Sequence, residues 1–117
     1  MSEVLVAAEQ IRNALKLAKV RIYDDPAATL MPPAALVFAP ELTLAVGNDA
    51  TDATFPVLLV VADDKSSVDR LAQLIPVVAQ AIHDNVENAV VRSAQPGAYN
   101  AGGTVLPCYQ LNVEVAL

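Results

Sequence analysis

Val57-Leu58-Leu59-Val60-Val61, the middle of the apolar run from Phe55 to Ala62, has no polar position. A strand exposed on one side alternates apolar and polar residues, so this run predicts a central strand covered on both faces. Its eight residues are far short of the roughly 20 that span a bilayer. Upstream, Leu42 to Val46 forms the other arm of a hairpin with Ala53 to Ala62 around the polar loop Gly47-Asn48-Asp49-Ala50-Thr51-Asp52. Pro56 lacks a backbone N–H and is therefore expected near the strand's entry.

On either side of this hairpin the period changes. Val68, Leu71, Ile75, Val78 and Ile82 recur at helical spacing and predict a helix over 67–83, with Ser66 or Ser67 as its cap and a kink at Pro76. Val4, Ala8, Ile11, Leu15 and Ala18 predict an amphipathic helix over 3–18, capped by Ser2. Val20 to Tyr23 and Ala34 to Ala39 read as short strands, and Ala89 to Ala94 as another. Pro96-Gly97 and Gly102-Gly103 mark 95–107 as a long loop. Tyr109, Leu111, Val113, Val115 and Leu117 then alternate with Gln110, Asn112, Glu114 and Ala116, a strand with one buried face. The expected order is α-β-β-β-β-α-β-β. It describes an α+β fold, a mostly antiparallel sheet of five to six strands with two helices packed on one face.

The 117 residues suffice for one domain, 1–117. Apolar residues make up 55% and charged residues 17%, and mean hydropathy is +0.43. A small domain has too little interior to hide so much apolar surface. Net charge is −6 and pI about 4.4, the opposite of the Lys/Arg surplus that grips phosphates. The lone Cys108 cannot form an intrachain disulfide. Met1-Ser2-Glu3 lacks the leading positive charge of a signal peptide, so neither export nor membrane insertion is expected.

Few residues invite a chemical reading. Val57 to Ala62 followed by Asp63-Asp64-Lys65 has the opening of a response-regulator receiver, but no later apolar strand ends in an acceptor Asp. Helix capping and dipole charge account for the acidic pair. Asp24-Asp25 and Asp49/Asp52 lack the converging ligand spacing of a hard-metal site and suit turns. His83 sits at a helix C-terminus and Cys108 opens the last strand, with no local nucleophile signature around either. No catalytic residue, metal or cofactor is expected.

Surfaces are more informative. Leu74, Val77 and Ala81 lie off the main stripe of the second helix and need cover. A second copy of the chain is the simplest source, with long loops folding back as the alternative. Arg12, Lys16 and Lys19 fall on one strip of the first helix, either as a solvated flank or as a docking site for a neighbour's acidic patch. Tyr99 is a candidate contact anchor in the 95–107 loop.

Several phrases combine with this organisation. They are Val20-Arg21-Ile22-Tyr23-Asp24-Asp25-Pro26, the Pro32 to Val37 entry, Ser93 to Tyr99, and Leu106-Pro107-Cys108-Tyr109-Gln110-Leu111-Asn112-Val113-Glu114-Val115. Over nearly its whole length the chain resembles the tail terminator (tail-completion) proteins of long, flexible-tailed bacteriophages, especially those of actinobacterial phages. The resemblance implies a virion neck protein made in the host cytoplasm. It implies a six-subunit ring that ends tail-tube polymerisation and meets the tail-tube protein on one side and the head-side connector on the other. DNA would pass through the ring's channel without specific binding, and Asp24, Asp25, Asp49 and Asp52 are the candidate channel carboxylates. Other readings are another neck or head-completion protein, or a small-molecule-binding regulatory domain.

Overall fold

The computed structural model describes residues 3–23, 33–47, 50–62, 64–101 and 103–117. The predicted order is present as α1 (Glu3–Leu17), β1 (Arg21–Tyr23), β2 (Ala34–Val37), β3 (Glu41–Leu44), β4 (Ala50–Val60), α2 (Ser67–Asn85), β5 (Ala89–Ala101) and β6 (Thr104–Ala116). The sheet runs β1-β2-β4-β6-β5, and β3 pairs with the first half of β4. All pairs are antiparallel except β1 with β2.

Strand β4 is the central strand that its apolar run predicts. Alternation aims Ala53, Phe55, Val57 and Leu59 at one face, where they share a core with Ile11, Leu15, Leu71, Val78 and Ile82 of the two helices. Leu111, Val113 and Val115 of β6 join them, as the pattern in Tyr109–Leu117 predicts. The other face of β4 is not bare. Val60 buries against Ala34, Leu36 and Cys108, with Tyr23, Phe38, Leu58, Tyr99 and Leu106 packed around them. Towards the far end this face turns polar. Asn112 donates to Ser93 at 2.8 Å, Gln110 donates to Asn112 at 3.0 Å, and Arg92 pairs with Glu114 at 3.1 Å.

Three local expectations are corrected. Residues 95–107 are not a loop: β5 and β6 form one long hairpin, turning between Ala101 and Thr104. β4 pairs with β6 only from Cys108 onward, so the hairpin's outer part is a two-stranded ribbon beyond the sheet. Pro56 lies in mid-strand, not at the entry. Its carbonyl accepts the Phe38 N–H at 3.0 Å. In an antiparallel strand N–H and C=O of a residue point the same way, so its missing donor faces the β2/β3 junction and costs the β6 ladder nothing. Pro107 follows the same rule, its carbonyl turned to the Val61 N–H at 3.2 Å. Finally, Ser66 is the N-cap residue of α2 but its hydroxyl makes no capping bond. Asp64 does that work, accepting the Ser66 N–H at 2.8 Å and pairing with Arg70 at 2.8 Å. The predicted Ser2 cap lies outside the described residues.

Helix α1 ends in a Schellman motif. The Val20 N–H reaches the Leu15 carbonyl at 3.1 Å and the Lys19 N–H reaches Lys16 at 3.0 Å. Lys19 takes the left-handed conformation, φ 62°, where glycine would be unstrained. Val20 and Leu15 both bury in the core and lock the turn. Helix α2 runs through Pro76 unbroken, with Pro76 on its exposed side; the missing N–H would have met the Ala72 carbonyl.

Candidate subunit interface

The topology gives the molecule two distinct ends. Extents are 49 × 28 × 22 Å. At one end are the last residues of β4, the start of β2, the C-terminus of α1, the N-terminus of α2 and the β5–β6 ribbon. At the other are the β3–β4 hairpin, the N-terminus of α1, the C-terminus of α2 and the last residues of β6.

Large apolar side chains stand exposed at both. Leu17, Val68 and Val105 occupy the ribbon end, and Leu5, Leu42, Leu44 and Val46 the opposite end. Strand β3, which carries Leu42 and Leu44, is exposed at all four of its positions. Of the three α2 residues expected to need cover, Val77 is exposed at 53%. Leu74 and Ala81 are half-buried and pack partly against the chain's own core. Leu74 and Val77 rim an apolar groove of about 410 Å³ with Pro33, Val61, Ala62, Arg70 and Gln73. Tyr99 sits on a strand, half-buried against Leu106 and the open-face cluster.

The charges separate as well. Lys16, Lys19 and Arg21 are exposed and rim one shallow depression with Val20, Ile22 and Tyr23 at the ribbon end. Arg12 lies a turn earlier on α1, 3.8 Å from Glu9. Lys65 and Arg70 lie at the same end, at the start of α2. The opposite end holds Glu3, Asp52, Asp84 and Glu87, whereas Glu41 pairs with Thr54 midway along β4. Asp52, a candidate channel carboxylate, is half-exposed at the opposite end. Asp24, Asp25 and Asp49 lie outside the described residues. Of the acidic pair at 63–64, Asp64 alone is described. Glu3 and Glu87, distant in sequence, rim one depression at the opposite end, which no sequence window shows.

His83 is exposed on α2, whereas Cys108 buries on the opposite sheet face. The sheet separates them, so they do not form a nucleophile and base. Burial pushes the Cys108 thiol above its ordinary value, which leaves it a poor thiolate at neutral pH. Among the described residues no three His, Cys, Asp or Glu side chains converge as a metal site would need. Among the described residues no helix is long and apolar enough to cross a membrane. No protein-family model and no curated protein sequence matches the chain.

Proposed function

We propose that the chain is a virion neck protein, the tail terminator: a ring of copies, six by the resemblance, that caps the head-proximal end of the tail tube and joins it to the head-side connector. The observation that supports this most is the set of large apolar side chains exposed at both ends of one small domain. Different surfaces at two ends suit the head-to-tail contacts that close a ring, whereas a two-fold dimer would use one surface twice. The net charge of −6 per copy suits a channel that DNA slides through without adhering.

The test is to polymerise tail-tube protein with and without this chain and measure tube lengths by electron microscopy. The terminator reading expects short, capped tubes that stop growing as the chain is added. Tubes of unchanged length, with the chain bound to the connector instead, would move it to another neck or head-completion role. A regulatory, ligand-binding role has one observation in its favour, the apolar groove beside α2. A metabolite recovered bound there, together with no effect on tubes, would favour that role.

A further inference from the structure

The ring reading does not say which surfaces meet; the charge separation does. We propose that copies of this chain associate end to end, the basic ribbon end of one docking on the acidic β3–β4 end of the next, so that a second copy occupies both surfaces. This rests on the assembly reading above and specifies its contact.

The sign of the surface charge reverses along the long axis. Near the ribbon Lys16, Lys19, Arg21 and Lys65 are exposed, and Arg70 is held by Asp64. Asp69 is the other acidic group described at that end. At the far end Glu3, Asp84 and Glu87 are exposed, and Arg92 is held by Glu114. Two like ends brought together would repel, whereas unlike ends attract, so the charges disfavour any contact that joins an end to its own kind. The apolar groups agree in placement: Val105 and Val68 beside the basic set face a partner surface carrying Leu42 and Leu44. A contact with an apolar centre and a charged rim is the ordinary anatomy of a protein interface. Lys16 and Lys19 lie at the C-terminus of α1, and Glu3 at its N-terminus, each stabilised where it stands.

All three lysines, Lys16, Lys19 and Lys65, lie at the ribbon end. Zero-length carbodiimide coupling joins an amine only to a carboxylate in direct contact. Roughly 20 Å of helix, at about 1.5 Å per residue, separates Lys16 from the Glu3 end of its own chain. A link from Lys16 or Lys19 to Glu3, Asp84 or Glu87 therefore reports two copies. Two triple variants supply the second arm. Lys16→Glu/Lys19→Glu/Arg21→Glu makes both ends acidic, and Glu3→Lys/Asp84→Lys/Glu87→Lys makes both basic. Each is first checked for its fold by circular dichroism, then examined by sedimentation and cross-linking mass spectrometry.

The expected result is that each variant alone associates at least tenfold more weakly than wild type or not at all. Mixed, they form complexes linked between positions 16, 19 or 21 and positions 3, 84 or 87, and these dissolve at about 1 M salt, where screening reaches only about 3 Å. Mixed variants that stay monomeric at low salt, or links confined to other surfaces, would overturn the end-to-end contact. If oligomers form through other surfaces and tubes are still capped, the terminator reading survives without it. If tubes are not capped but the predicted links appear, the contact stands and the phage role falls.

Discussion

At the residue scale, Asp64 rather than a serine hydroxyl secures the entry to α2. Replacing a side chain that caps a helix costs about 1 kcal/mol. Urea denaturation should therefore show Asp64→Ala destabilised by about that much, while Ser66→Ala changes stability by no more than about 0.5 kcal/mol. Equal losses in both would return the cap to Ser66. Lys19 is the reverse case, a charged residue held where glycine fits better. Lys19→Gly should gain up to about 1 kcal/mol by relieving a left-handed side chain while weakening association between copies. A loss of stability would mean that the lysine stem holds the turn. Cys108 gives a pH signature. Its folded-state pKa is raised by burial, so the protonated thiol is favoured by the fold. That contribution is intact below the ordinary thiol pKa of about 8.5 and is lost as pH climbs through the higher folded value. Cys108→Ala should flatten the fall of Tm above pH ~9; an unchanged slope would show that the thiol does not sense burial.

At the element scale, core and surface positions on the same elements should behave differently. Phe55, fully buried under both helices, should cost about 3–5 kcal/mol as Phe55→Ala. Val77→Ala and Val105→Ala, on exposed positions, should stay within about 0.5 kcal/mol in chemical denaturation and show their effect only in assembly. A large stability loss at Val105 would mean that the ribbon is part of the fold and not a contact. The element order was readable because each element carries a period: Tyr109–Leu117 alternates, α1 and α2 repeat at helical spacing, and Val57–Val61 lacks a wet face. The outer half of the β5–β6 hairpin was not readable. Gln95-Pro96-Gly97-Ala98 is exposed throughout, so no hydrophobic alternation marks it, and Pro-Gly reads locally as a turn. Pro96 faces Tyr109 on the sheet's open edge, where a missing donor costs no ladder bond. The Ser66 cap failed for another reason. Asp and Ser compete for the same backbone donors, and only geometry decides between neighbours. At the candidate interface the basic strip on α1 could be seen as one sequence window. Its acidic counterpart could not, since the fold brings Glu3 beside Glu87 from a distant segment.

At the scale of the whole molecule, the surplus of apolar residues resolves into two places. Much of it is sheltered within the chain, on both faces of β4, by the helices and by the cluster around Leu36, Val60 and Cys108. The remainder stands at the two ends of an elongated domain, beside charges of opposite sign. This is a more specific condition than general greasiness, because it gives a direction to assembly as well as a reason for it. It also bears on the channel. On the proposed contact Asp84 and Glu87 would meet a neighbour's lysines and be neutralised, so in the proposed channel the charge facing DNA would come from others, Asp52 among the candidates. Cryo-electron microscopy of the capped end of a tail tube addresses the central claim most directly. The account predicts a closed ring of copies in which Val105 of one subunit and Leu44 of the next are buried at the same contact. A single bound copy, or a ring that leaves both side chains in solvent, would contradict it.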